Sequence, residues 1–504
     1  MKFNHFLTAA AAMLVLLSCN KEPLTQEGNS GNLYMQFSVK MLSTRSQTDN
    51  TGDSNSNANP DTEVGLDKEN KISSVDIALV KGDQYFVAKD VTPSAASADT
   101  YVASFNSLQL KAGAKYKVYI YANCSAPSAF NIDEVSDATV AAMTADNNFW
   151  MTNAYAANEV KLPGDLAPYT QPNTPLNLGS HTVERSMARF DYMAVKEGNK
   201  YDMGAGLGLT LTDAALINQS KAHYMFRRVT ADATATATGA VVGGVEVPNN
   251  WVVDTDWSNK VAANFNAQLE APSTWHWTNL ATDITTDDNY DGQYKIWCYA
   301  KENTLPGIDA QKHNVSTGVV FKAQITAGAG ASDDVKAALN SGKRIYVFNN
   351  TFYGTWDAVK TAATATGAEA TLAAAYNQAA ASITESATEP TAKAAAAAGF
   401  TGYSREDDGN YYTYYYYWNR HNDNGKPYDM GIMEFAVVRN NVYKLCVESI
   451  AKFGHPTPPT DPTNPTDPDP DPVDPDDPDE SVNYYFNVTV KVLPWTVRIN
   501  NIEF

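Results

Sequence analysis

The sequence predicts a mainly β protein built of β-sandwich domains. Three observations carry this expectation. From residue 33 to the C-terminus, runs of β-branched and aromatic residues alternate with polar ones at period two. Polar turn segments separate these runs at short spacing, as in a sandwich. Aromatics make up 11% of the chain, with 28 Tyr, against 19% charged residues, a globular rather than a disordered composition. At 504 residues the chain can bury two or three separate cores. Its formal net charge of −20 works against nucleic acid and anionic membrane surfaces as partners.

The chain opens on a leader, residues 1–18, in which Lys2 and His5 precede an apolar run over 6–17. This is the pattern of a signal peptide, too short and wrongly flanked for a membrane span. Leu16-Leu17-Ser18-Cys19 is similar to a bacterial lipobox, which implies cleavage before Cys19 and lipidation of its thiol. An ordinary secretory leader with an incidental cysteine is the alternative. A polar tether over 20–31 leads to a strand in which Leu33, Met35, Phe37, Val39 and Met41 share one apolar face. Residues 46–61, rich in Asn, Asp, Ser, Thr and Gly, read as an exposed loop. Arg45, with Ser46 after it, therefore sits where proteases cut readily, or is simply a solvated loop residue.

Residues 46–180 are expected to form an N-terminal sandwich, with strands over 72–80, 84–88, 101–105, 108–110 and 116–123 and a short helix over 135–145. Residues 181–455 are expected to form a second sandwich, opening with strand-like residues over 183–195. Gly204, Gly206 and Gly208 lack the strand-then-helix context of a dinucleotide site and read as a bend, so no cofactor is expected. Strands follow over 294–300, 317–325 and 344–348, with a loop and short helix over 326–343. The Ala- and Thr-rich stretch 356–399 reads as one or two surface helices. An aromatic strand over 411–418 enters a turn with Asn424-Gly425, from which 430–438 pairs back and 442–449 continues. Arg420, His421 and Asp423 beside that strand suggest a glycan platform; a β-meander core with a polar turn explains the same residues.

No nucleophile with a base, no paired carboxylates and no metal-ligand spacing emerges, so the sequence points away from an enzyme and from a metal protein. Cys124, Cys298 and Cys446 are left after the leader, an odd number in strand-like contexts. They are expected to be free buried thiols, with a disulfide as the alternative.

Residues 456–480 form a Pro/Asp tract. Proline fixes φ and the aspartates repel one another, so the tract is an extended spacer of about 25 residues that reaches on the order of 75 Å. Beyond it, Tyr484, Phe486, Val488, Val490 and Val492 alternate with polar residues. Pro494 is expected to break that run, and Trp495, Val497 and Ile499 then alternate in a second strand. Such a strand pair on a polar tether needs a sheet to join, its own or a neighbour's.

The segment 411–456, the Pro/Asp tract and the ending VLPWTVRINNIEF resemble the C-terminal region of Bacteroidales fimbrilins, above all the shaft subunit of short (minor) fimbriae, a type V pilin. YKVYIYAN, ERSMARFD, CYAKENT and the lipobox extend the resemblance over nearly the whole chain. It implies two transthyretin-like β-sandwich domains and a lipoprotein precursor at the outer membrane. It implies an arginine-specific protease that cuts after Arg45 and so releases the strand carrying Leu33 to Met41. The C-terminal strands of another copy would then fill the vacated groove, giving a head-to-tail homopolymer with tip and anchor subunits as further partners. The implied role is a surface fimbrium for adhesion and for biofilm or host colonisation. A monomeric surface lipoprotein that binds glycan or protein, and a tip or anchor subunit, are the alternatives. The residues from Ser481 to Phe504 favour a shaft subunit, since a tip need not donate strands.

Overall fold

The computed structural model describes residues 33–41, 63–96, 100–108, 110–154, 156–230, 241–242, 251–257, 275–284, 294–304, 316–328, 330–421, 433–458 and 486–496. The chain is mainly β, as the alternating runs require, and the strands build around two principal cores.

The first core lies inside one nine-stranded sheet. Its members are β1 (Leu33–Met41), β3 (Val75–Lys81), β4 (Gln84–Val91), β5 (Ser94–Ala95), β6 (Thr100–Leu108), β7 (Lys115–Ala122), β9 (Met151–Asn153), β10 (Glu159–Lys161) and β11 (Leu176–Arg185). The order is β4-β3-β7-β9-β11-β1-β6-β5, with β10 on β7. Alternating side chains of β1, β3, β7 and β11 point inward to one apolar cluster. The sequence places a strand over 101–105 and another over 108–110; the first is part of a longer β6 that ends at Leu108, and Leu110 lies in no strand. The sheet also runs through residue 180 to Arg185, and Ser186-Met187 carry the chain into the second core.

That second core is a sandwich of two sheets. One, in the order β2-β27-β26-β12-β20, contains β2 (Glu63–Val64), β12 (Ala188–Met193), β20 (Lys295–Ala300), β26 (Asn441–Ile450) and β27 (Phe486–Thr496). The other contains β13 (Lys200–Gly204), β14 (Leu207–Ile217), β21 (Gly318–Ala327) and β25 (Tyr411–Trp418), with β19 (Thr278–Asn279) on β14. Phe190, Tyr443 and Leu445 from the first sheet meet Leu209, Phe321 and Tyr415 from the second. The GxGxG stretch is the β13–β14 hairpin bend. Gly206 has φ +76, and a Cβ there would lie 2.5 Å from Ala331 Cα, so the turn requires glycine.

Small sheets complete the fold: β15 (His223–Tyr224) on β8 (Val135–Ser136); β17 (Val241–Val242), β16 (Arg228–Thr230) and β18 (Trp251–Val252); β23 (Thr351–Tyr353), β22 (Ile345–Phe348) and β24 (Thr401–Tyr403). The helices are α1 (Asp67–Asn70), α2 (Val140–Met143), α3 (Asp333–Asn340), α4 (Trp356–Thr364), α5 (Ala370–Ala380) and α6 (Ala392–Ala397). The helix expected over 135–145 shrinks to α2, because Val135 and Ser136 are taken into a bridge with β15.

Two other expectations are corrected. The Ala-rich stretch holds three helices rather than one or two, and they enclose a core of their own around Trp356. The return strand over 430–438 does not form within its described part, 433–438. Met433 takes φ 62 and the Ala436 N–H closes a turn onto the Met433 carbonyl. Those residues are apolar because they pack on Val252, Val253 and Trp257, not because they alternate in a sheet. The Asn424-Gly425 turn lies outside the described residues.

Candidate functional site

β1 lies in the interior of the first sheet. It pairs antiparallel with β6, Phe37 opposite Ala103 and Val39 opposite Tyr101, and parallel with β11, Val39 opposite His181 and Met41 opposite Val183. Leu33, Met35, Phe37, Val39 and Met41 are each no more than 1% exposed. Tyr34, Gln36 and Ser38 are half-buried on the other face and Lys40 is exposed. The strict alternation of the sequence is thus the alternation of the fold. Taking β1 away would uncover the inward-facing side chains it covers and one edge each of β6 and β11. A vacated interior position of this kind is a template for strand addition.

The chain between β1 and β2, with Arg45 and Ser46, lies outside the described residues. So do Cys19, Tyr484, Val497 and Ile499. Phe486, Val488, Val490, Val492 and Trp495 fall on β27, in the chain's own second sandwich. β27 runs antiparallel to β26, with Val490 opposite Leu445 and Pro494 opposite Asn441. Its end also runs parallel to β2, Trp495 opposite Glu63 and Thr496 opposite Val64. The break expected at Pro494 does not occur: a single strand passes through it. Pro494 sits at the last pair of the β26 ladder, where a missing N–H disturbs the pairing least.

After β2, α1 enters a buried polar joint between the two cores, which periodicity did not reveal. In α1 the Glu69 carboxylate accepts from Arg189 Nη1 (2.9 Å), Tyr299 Oη (2.5 Å) and the Leu66 N–H (2.6 Å). Arg189 also forks onto Asp191 at 3.0 and 3.1 Å. Arg185 donates to Asn70 and to Asn440. Burial pulls the Arg185 guanidinium down to about 9, with Glu69 opposing the fall, so it stays cationic at neutral pH. A second bidentate pair, Arg227 on Glu184 at 2.9 and 2.6 Å, and Arg439 on Glu302 at 2.6 Å extend the joint. The signal for it was the charge in ERSMARFD: four ionisable residues in a stretch otherwise fit for a buried strand mean internal partners.

Of the residues proposed for a glycan platform, those among the described residues are engaged within the fold. His421 is buried, its Nδ1 2.8 Å from Tyr443 Oη, and Asp423 lies outside the described residues. On β25, Tyr411 and Tyr415 enter the second core, while Tyr412 and Tyr414 pack on the other face with Trp275. Their hydroxyls donate to Asp408 and Glu406, each at 2.6 Å. Cys124, Cys298 and Cys446 form no disulfide among the described residues, and Cys446 Sγ donates to Glu448.

Residues 410–501 match the family model described as major fimbrial subunit protein type IV, fimbrillin, C-terminal. The C-terminal part of the chain is thus similar to a fimbrillin C-terminal domain. The matched stretch begins at β25, includes β26 and the Pro/Asp tract, and takes in β27, so it spans both the last strand and the strand on which that strand lies. A search of curated protein sequences finds no match. Among solved structures, the chain is similar to the tip fimbrial protein Mfa3 of Porphyromonas gingivalis with C-terminal truncation, at 10% identity and TM-score 0.35 over 92% of this chain and all of that one. It is similar to the fimbrial anchor protein Mfa2 of the same organism, at 9% identity and TM-score 0.24 over 63% of this chain and 94% of that one. A candidate cell adhesion protein of Parabacteroides distasonis aligns at 13% identity and TM-score 0.42 over 93% and 99% of the two chains.

Proposed function

We propose that the protein is a structural pilin subunit of the fimbrilin type, a shaft subunit that polymerises by protease-triggered strand exchange. The observation that carries this reading is β1: an interior strand with a fully buried apolar face, followed in sequence by the polar stretch that contains Arg45. An arginine-specific protease cutting between Arg45 and Ser46 leaves β1 held by non-covalent contacts alone. Another copy's C-terminal segment, with the same apolar alternation, replaces it. Five apolar side chains at about 1.5–3 kcal/mol each contribute on the order of 10 kcal/mol before ordering costs, which offsets the loss of the five that leave with β1. The contact is head-to-tail, so it propagates into a filament instead of closing. The precursor travels as a lipoprotein anchored through Cys19 to the outer membrane, and the mature subunit stands in a surface fimbrium with tip and anchor subunits, where it supports adhesion.

The test locks β1 in place. Gln36 and Ser104 are direct cross-strand partners. A Gln36→Cys, Ser104→Cys protein is oxidised and cut after Arg45. It is expected to stay monomeric on size exclusion and to form heat-stable ladders only after reduction. Ladders of equal yield from the oxidised and reduced proteins contradict the reading.

A further inference from the structure

The five positions along the groove are not equivalent. Opposite Phe37, β11 carries a bulge: Gln36 pairs with Asn177 and Ser38 with Ser180, so Leu178 and Gly179 together face one residue of β1. Gly179 has φ +92, which the bulge requires and an L side chain resists. Just past the bulge His181 is buried among apolar side chains, its Nε2 3.2 Å from the Leu178 carbonyl. The Phe37 ring lies between two rings, one from each flanking strand. Phe105 of β6 meets it edge-on at 6.1 Å and His181 of β11 at 6.2 Å. Leu33, Met35, Val39 and Met41 occupy the remaining inward positions, none of them aromatic.

We propose that the seat between Phe105 and His181 sets the register of strand exchange, and that the incoming copy fills it with Phe486. This rests on the strand-exchange reading above. Laid in the direction of β1, Val482, Tyr484, Phe486, Val488 and Val490 fall on Leu33, Met35, Phe37, Val39 and Met41. An aromatic ring then meets the aromatic seat and a valine replaces Val39. A slip of two residues one way puts Val488 in the seat and leaves a void; the other way it brings Glu480 onto the buried Leu33 position, which buries a charge. Seating Trp495 instead brings Lys491 onto the buried Leu33 position, which buries a charge. In the uncut chain Phe486 lies opposite Ile450 on its own β26, so it must leave that partner to act.

A photoreactive benzoylphenylalanine at position 486 of the full chain tests this after cutting at Arg45. Irradiated ladders are expected to yield inter-chain crosslinks to peptides holding Phe105 or residues 178–183. Crosslinks confined to the chain's own β26, or to another part of the neighbour, overturn the assignment. In parallel, Phe486→Ala is expected to slow ladder formation about tenfold or more and Val490→Ala by about threefold or less, since a lost ring leaves the larger cavity. Equal rates for the two variants overturn the seat while strand exchange stands. If the unaltered cut chain forms no ladders, the strand-exchange reading itself fails, and the proposal with it.

Discussion

Glu69 accepts hydrogen bonds from an arginine, a tyrosine and a backbone amide while almost wholly buried. Replacing it with Gln keeps the shape and removes the charge that faces Arg189. Breaking a buried pair from one side costs about 3–5 kcal/mol, and Asp191, still paired with Arg189, keeps the loss near the lower figure. Glu69→Gln is therefore expected to lower the urea midpoint with little change in slope; an unchanged midpoint would mean the pair contributes nothing. Histidines supply a second residue-scale expectation. Burial lowers the pKa of His181, of His223 beside Arg439 and Lys301, and of His455, the last to about 4. Each is lower folded than unfolded, so below about 6.5 the unfolded chain binds protons that the folded chain refuses. The stability these neutral rings give is fully present above pH 6.5 and is lost as pH falls towards 4. The melting temperature should fall over that window, and the fall should be shallower in His455→Gln. Parallel pH profiles for the two proteins would contradict this.

At the scale of elements, the sequence was most legible where one face is buried and the other wet. The alternation in LYMQFSVKM is enough to place β1 and its inward residues; in YKVYIYAN it places β7 and its inward residues but not the burial of Tyr119 and Tyr121 on the other face. It was least legible where burial does not follow a period. MEFAVV is apolar because a loop is covered on all sides, which looks like a strand in a linear string. The Ala-rich stretch looked surface-bound because alanine carries little apolar area. Its core is supplied by Trp356, which meets Tyr346, Tyr376 and Phe400 at 5.2–5.4 Å, and by Phe348, two of these partners lying outside the stretch itself. Trp356→Ala is expected to remove about 3–5 kcal/mol from this unit. Hydrogen exchange should quicken in α4, α5 and α6 while β1, β6 and β11 stay protected, because the two principal cores do not include Trp356. Equal loss of protection in both places would show that the helices and sandwiches unfold as one.

At the scale of the whole molecule, the candidate groove and the candidate donor sit in different sheets. β1 fills the first core; β27 rests on β26 of the second, with β2 across its end. The joint built on Glu69, Arg185 and Arg189 ties α1 to β11, β12 and β20. Neither the pairing of β27 within its own chain nor the joint was legible from spacing alone, since both are long-range contacts between segments far apart in sequence. The groove residues were legible, because a single strand carries them. What the sequence left open, whether the last strand joins its own sheet or a neighbour's, becomes a question of which competitor wins once β1 is cut loose.

The most direct measurement is limited cleavage of the unlipidated full chain after Arg45, read by N-terminal sequencing and size exclusion, beside a chain lacking residues 481–504. Strand exchange predicts that cleavage converts monomer into heat-stable ladders with the strand of Leu33 to Met41 lost, and that the shortened chain forms none. A cut chain that remains monomeric with that strand still bound would contradict it.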